Sequence, residues 1–226
     1  MADASAQARF RGVVFDLDGV VADSEPLHVR AWVEVLGSLG VAEGEIGAES
    51  LAAWVGIPDV DIVAGVVEKH GLSLSPAELL ARKRTAFRGL IPRELKSFAG
   101  VAEELAVWDR VPLGLATATA RREALLMLET LGLAKVFRAV VTGDDVARPK
   151  PAPDGYLQAA AQLGLPPSSC AAVEDAPHGV RAARQAGLYV LGVTTSFAAG
   201  QLAEAEVLFP GTLQAIRWLK ERTAGA

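Results

Sequence analysis

Residues 12–19 read Gly-Val-Val-Phe-Asp-Leu-Asp-Gly, an apolar run that leaves directly into two carboxylates and a glycine. Runs of the same build recur at Leu113–Ala118, Ala139–Thr142, Cys170–Asp175, Tyr189–Thr194 and Glu206–Phe209. Between them, residues 99–109, 120–132, 153–164, 176–186 and 211–222 carry apolar side chains at helical spacing. Short apolar strands alternating with helices predict a parallel sheet covered on both faces. Right-handed crossovers then make it a doubly wound, Rossmann-like α/β layer. One stretch breaks the alternation. Residues 25–92 hold no β run, only helical spacing such as Trp32, Val35, Leu36 and Leu39, then Leu79, Leu80, Lys83 and Phe87. The expected organisation is therefore a core of residues 1–24 and 93–226 with an all-helical cap inserted as residues 25–92. Inside that cap, Ser75, Pro76 and Glu78 have the spacing of an N-cap, a first helical position and a capping box.

At 226 residues the chain exceeds the roughly 150 residues of an average domain and can bury a full core. Apolar residues at 51% and charged residues at 22% exclude a disordered or collagen-like chain. The net charge of −5 lacks the basic footprint of a nucleic-acid binder, so no nucleic-acid partner is expected. Cys170 is the single cysteine, which forbids an internal disulfide and points to a reducing cytoplasm. It lies in an apolar run, where a free cysteine behaves as a small core residue. No apolar stretch reaches the roughly 18 residues of a membrane span, and residues 1–11 have no apolar segment of the signal-peptide kind. A soluble monomer with no membrane partner is the expectation.

In open parallel sheets, ligands bind beyond the carboxyl ends of the strands, so the chemistry should sit where each run stops. The first stops at Asp16-Leu17-Asp18-Gly19, two carboxylates at one crowded spot, costly unless a cation or proton sits between them. An Asx-type turn or helix cap is the other reading of that motif alone. The second stops at Thr117-Ala118-Thr119, where a hydroxyl and the backbone N–H groups of a helix start can either cap the helix or cradle a phosphate. Prolines at 149, 151 and 153 stiffen the chain around Lys150 and hold it outside any helix. The fourth run stops at Glu174-Asp175, hard oxygen ligands suited to Mg²⁺. A nucleophile, a second acid, hydroxyls, a lysine and a metal-binding pair make the inventory of phosphoryl transfer.

These residues resemble the haloacid dehalogenase-like superfamily over nearly the whole chain. Phe15-Asp16-Leu17-Asp18-Gly19-Val20 is similar to its first motif, Thr117 to its second, Arg148-Pro149-Lys150-Pro151-Ala152-Pro153-Asp154 to its third, and Glu174-Asp175 to its fourth. The insertion resembles the small helical cap of the subgroup that includes β-phosphoglucomutase and sugar-phosphate phosphatases. The resemblance implies that Asp16 attacks phosphorus to form an aspartyl-phosphate and that Asp18 donates and then takes a proton. It implies Mg²⁺ held by the Asp16 carboxylate, the Asp18 main-chain carbonyl and Asp175, with Glu174 touching the ion or the ligands around it. Thr117 and Lys150, with the Ala118 and Thr119 segment, would hold phosphoryl oxygens. Relatives that cleave carbon–halogen or carbon–phosphorus bonds do not keep an acid two residues after the nucleophile, so Asp18 implies phosphate-ester chemistry on a small phosphorylated metabolite.

Between phosphatase and mutase, the cap decides. His28 and Trp32, spaced i, i+4, match the His-x-x-x-Trp of mutase-like members, with Trp32 also readable as cap core. Lys83 falls where the subgroup often has a substrate-facing lysine, although Ala81-Arg82-Lys83-Arg84 also reads as a solvated helix face. In Val55-Gly56-Ile57-Pro58-Asp59-Val60, no arginine follows the glycine to grip a second phosphate, and Asp59 would repel one. Hydrolysis of a monophosphate is the expected activity, with sugar-phosphate isomerisation by a mutase as the alternative. A non-catalytic, phosphate-operated switch is the alternative of another class, disfavoured by Asp18 and by the cap.

Overall fold

The computed structural model describes residues 10–46 and 59–223. The chain divides into two compact units, Met1–Asp23 with Lys96–Ala226, and Ser24–Leu95. In the first unit, β1 (Gly12–Phe15) is followed by the two-residue β2 (Ala22–Asp23), which pairs antiparallel with β3 (Lys96–Ser97). Then come α4 (Val101–Ala106), β4 (Leu113–Ala116), α5 (Arg121–Thr130), β5 (Phe137–Val141), α6 (Asp154–Gln162), β6 (Cys170–Glu174), α7 (Pro177–Gln185), β7 (Tyr189–Val193), β8 (Val207–Phe209) and α8 (Thr212–Lys220). The second unit holds α1 (Glu25–Ser38), α2 (Asp59–Lys69) and α3 (Pro76–Glu94).

Six strands form one parallel sheet in the order β5-β4-β1-β6-β7-β8. Every residue of β1, β4 and β6 is buried, which is why these strands read as unbroken apolar runs rather than as alternation. Val14, Ala172 and Val190 share one cluster with Tyr156, Ala159, Ala160, Val180 and Ala183 of α6 and α7. Alanines at these positions let the helices approach the sheet closely. Cys170 is fully buried in the same cluster, as its apolar setting implied. The chain runs from β1 to β4 and β5 on one side, then returns to β6, β7 and β8 on the other, so the order reverses at β1. That reversal leaves a crevice at the carboxyl ends of β1, β4 and β6.

The expected strand limits shift slightly. The run expected at Ala139–Thr142 starts at Phe137, and the one expected at Leu113–Ala118 ends at Ala116, where the backbone turns to present Thr117. In the helical unit, α1 and α2 both pack on α3. Their shared core contains Trp32, Val35, Leu36, Val63, Val66 and Leu79. The capping box is present: Ser75 Oγ accepts from the Glu78 N–H, and Glu78 Oε2 accepts from the Ser75 N–H at 2.8 Å. No described helix is long and apolar enough to cross a membrane.

Candidate active site

The turn after β1 brings the first acids into the crevice. Leu17 carbonyl oxygen accepts from the N–H groups of Val21 and Ala22, and Gly19 donates to Ala22. Gly19 sits at φ +73°, and a Cβ there would lie 1.9 Å from Asp175 Oδ2. Glycine is therefore what lets the β1 turn close onto the end of β6. Thr212 Oγ1 donates to the Val20 carbonyl at 2.7 Å and fastens the turn from the far side.

Asp16, at the end of β1, is 7% exposed; Glu174 and Asp175, at the end of β6, are 1% and 4% exposed. One oxygen from each lies within 4.8 Å of the others. Lys150 Nζ bridges two of them, donating to Asp16 Oδ1 at 2.6 Å and to Glu174 Oε1 at 2.5 Å. Burial, with Glu174 and Asp18 adding to it, pushes the Asp16 carboxyl up to about 8 against the pull of Lys150. Burial, with Glu174 and Asp16 adding to it, also holds Asp175 well above the usual range. Burial disfavours the Lys150 charge, but Asp16 and Glu174 outweigh it and raise the lysine. The donor set thus has more negative charge than one lysine balances; both Glu174 oxygens already accept from protein donors, and the crowded Asp16 and Asp175 carboxylates beside it suit a divalent cation such as Mg²⁺.

Asp18 is half-buried, and its Oδ2 accepts from Thr119 Oγ1 at 2.6 Å and from Thr117 Oγ1 at 3.4 Å. Thr117 Oγ1 also accepts from the Thr119 N–H at 3.0 Å. Thr117 is not the cap of α5: the first N–H there, from Arg121, goes to Asp144 Oδ2 at 2.8 Å. Asp145 takes the Arg121 guanidinium and caps Thr142, so this acidic pair fixes the loop after β5. In the third motif, Arg148 forms a two-pronged pair with Asp154 at 2.7 and 3.0 Å at the start of α6.

The structure brings together Asp16, Asp18, Thr117, Thr119, Lys150, Glu174 and Asp175 in the core unit, with Ala118 exposed between the two threonines. Two further residues join them. Tyr156 Oη donates to Glu174 Oε1 at 2.8 Å, and Ser196 bonds to Asp175. A tyrosine on an otherwise apolar helix face was the only signal for the first; Ser196 lies in a loop without pattern.

In the helical unit, His28 and Lys83 form a separate cluster. Lys83 Nζ lies 2.6 Å from His28 Nδ1 and donates to Asp59 Oδ2 at 2.5 Å, while Trp32 Nε1 donates to Asp59 Oδ1 at 3.2 Å. His28 stacks on Phe87 at 4.0 Å, and Lys83 lies over the Phe87 ring at 5.0 Å. The solvated-face reading of Lys83 is wrong: it is 1% exposed, enclosed by Asp59, His28 and the rings of Trp32 and Phe87. Trp32 is both cap core, at 3% exposed, and a donor to that pair. Of the loop at 55–60, residues 55–58 lie outside the described residues, while Asp59 opens α2.

A sequence model of the haloacid dehalogenase-like hydrolases matches residues 13–193. The chain is 34% identical over 185 residues to the fructose-1-phosphate phosphatase YqaB of Escherichia coli, covering 82% of this chain and 97% of that enzyme. It is 30% identical over 189 residues to the β-phosphoglucomutase of Bacillus subtilis, covering 81% and 83%. Among solved structures, CbbY of Rhodobacter sphaeroides in complex with phosphate superposes with a TM-score of 0.80 at 27% identity, covering 90% of this chain and 95% of that one.

Proposed function

Because the chain belongs to the haloacid dehalogenase-like hydrolase family, we propose that it hydrolyses a small phosphate monoester, a sugar or polyol monophosphate, by way of an aspartyl-phosphate on Asp16. The observation that carries this reading is the Lys150 bridge between Asp16 and Glu174 at 2.6 and 2.5 Å, with Asp18, two residues after Asp16, accepting from Thr119 Oγ1. Lys150 holds Asp16 Oδ1, which orients the carboxylate and leaves attack to its other oxygen. Asp16 attacks phosphorus, the bond from phosphorus to the ester oxygen breaks, and Asp18 gives its proton to the departing alkoxide. Asp18, then a carboxylate, takes a proton from water as that water attacks phosphorus and the bond to Asp16 breaks. Thr117 and the adjoining backbone N–H groups hold phosphoryl oxygens. Asp16, Asp175 and the Asp18 main-chain carbonyl would hold Mg²⁺, which offsets phosphoryl charge when bound.

A mutase must also grip the second phosphate of a bisphosphate, a task for cationic side chains. The Lys83 charge is instead matched by Asp59 at 2.5 Å, which favours a substrate with one phosphate. The lone buried thiol and the single set of motifs fit a cytoplasmic monomer.

The test is phosphate release from sugar, polyol and nucleotide monophosphates, including β-glucose 1-phosphate, with and without Mg²⁺ and with Asp16→Asn as the blank. Release dependent on both Mg²⁺ and Asp16 is expected. Conversion of β-glucose 1-phosphate to glucose 6-phosphate without net release would replace hydrolysis by the mutase reading. A phosphorylated protein that lasts for minutes or longer with no turnover would replace both by the switch.

A further inference from the structure

The face of α6 that packs on the sheet is built from Tyr156, Ala159, Ala160 and Leu163, the spacing of an ordinary apolar stripe. Phenylalanine would fill the first of these places equally well, and a fully buried hydroxyl is unfavourable unless it finds a partner. The Tyr156 hydroxyl has one, Glu174 Oε1, at 2.8 Å. That same oxygen accepts from Lys150 Nζ, while Glu174 Oε2 accepts from the N–H groups of Asp175 and Ala176 at 3.0 and 3.1 Å. Gly179 makes room for the carboxylate at the start of α7, since a Cβ there would lie 1.8 Å from Oε1. Four donors and a tight floor therefore fix Glu174. A lysine is a point charge on a flexible stem, so the tether sets where its ammonium stands.

We propose that Tyr156 is a positioning residue for the reaction: by donating to Glu174 Oε1 it sets the carboxylate that holds Lys150 Nζ against Asp16. The role of Lys150 in catalysis rests on the phosphatase reading, whereas the tether itself does not. Without the hydroxyl, Glu174 Oε1 keeps only the ammonium as a side-chain donor and draws it away from Asp16. The Tyr156 ring, 5.0 Å from Nζ, continues to pack beneath the lysine in either case.

Tyr156→Phe deletes only the oxygen and keeps the ring. Its kcat should fall about 10-fold with KM within about twofold, as for a group displaced in the transition state rather than in binding. Reductive methylation followed by mass spectrometry should label Lys150 several-fold faster than in the unsubstituted protein, with the other lysines unchanged. Mn²⁺ affinity, read by electron paramagnetic resonance without phosphate, should stay within about twofold, because Asp16 and Asp175 are untouched. Unchanged Lys150 labelling would overturn the proposal and leave Tyr156 as packing. So would faster labelling at every lysine with a lowered melting temperature, or a tenfold loss of Mn²⁺ affinity, which would make Glu174 an ion ligand that Tyr156 serves. If the unsubstituted protein released no phosphate, the phosphatase reading would fail, and the Lys150 labelling would still decide the tether.

Discussion

Lys150 in the core unit and Lys83 in the helical unit are both enclosed lysines paired with carboxylates, and the charge around them is balanced differently. Lys150 meets Asp16 and Glu174 directly, with Asp175 beside them and Asp18 two residues from Asp16. Among the described residues, Lys83 meets the Asp59 carboxylate, the His28 imidazole and the rings of Trp32 and Phe87. A surplus of buried carboxylates is costly in isolation and becomes favourable when a cation arrives. A matched pair gains nothing from a further ion and can hold its own unit together. Burial of a lysine therefore does not mark a reactive site; an unmatched excess of carboxylates around it does.

If that contrast is right, removing one carboxylate at each place should have opposite consequences. Asp16→Asn should lower phosphate release by about 10⁴-fold or more, the scale of losing a nucleophile, without unfolding the metal-free protein. Asp18→Asn should cost about 10²- to 10⁴-fold, the range of a general acid, and initial rates with saturating Mg²⁺ measure both. Asp59→Asn should act on stability instead. It takes the Asp59 carboxylate away from the Lys83 ammonium at 1% exposure, which should cost about 3 kcal/mol in denaturant unfolding. Adding Lys83→Met should return most of that loss, because the buried charge is then gone. An Asp59→Asn protein as stable as the original would show that His28 and the aromatic rings suffice for Lys83, and the comparison would lose its second half.

How much of this was legible in the sequence follows from the range of the interactions involved. β1, β4 and β6 are buried on both faces, so their apolar runs declare a covered parallel sheet without knowledge of their neighbours. Asp16, Asp18, Glu174 and Asp175 stand out because charge at the end of a buried strand is costly and needs a reason. Lys150 stands out through its flanking prolines. By contrast, β2 and β3 have two residues each, too few to show a period, and exist only because they pair with one another across the insertion. Lys83 looks like its arginine neighbours until Asp59, 24 residues earlier, is folded against it. Tyr156 reads as one more apolar position on α6, and only the placement of Glu174 beside its hydroxyl gives it another purpose.

The last expected effect sharpens the comparison by titration. The folded Asp16 carboxyl is pushed to about 8 from an ordinary value of 3.8, so between those limits the native state holds a proton that the unfolded chain has released. Stability of the metal-free protein should therefore fall as pH rises through that window, with the full penalty reached above pH 8. Asp16→Asn has no such proton, so its melting temperature should overtake that of the unsubstituted protein as pH goes from 5 to 8. Between pH 5 and 8 the linkage is on the order of 3 kcal/mol, and each kcal/mol is worth about 2–4 °C in a chain of this length. Millimolar Mg²⁺ should reverse the order at pH 8, because an ion held by the native carboxylates alone stabilises in proportion to its occupancy. The Lys83–Asp59 pair gives the control: Asp59→Asn should leave both the slope and its cancellation by Mg²⁺ in place. The raised Asp175 carboxyl keeps part of the slope, so a slope that Asp16→Asn leaves undiminished, or that Mg²⁺ does not cancel, would mean that the excess charge in the core is not what distinguishes its lysine from the other.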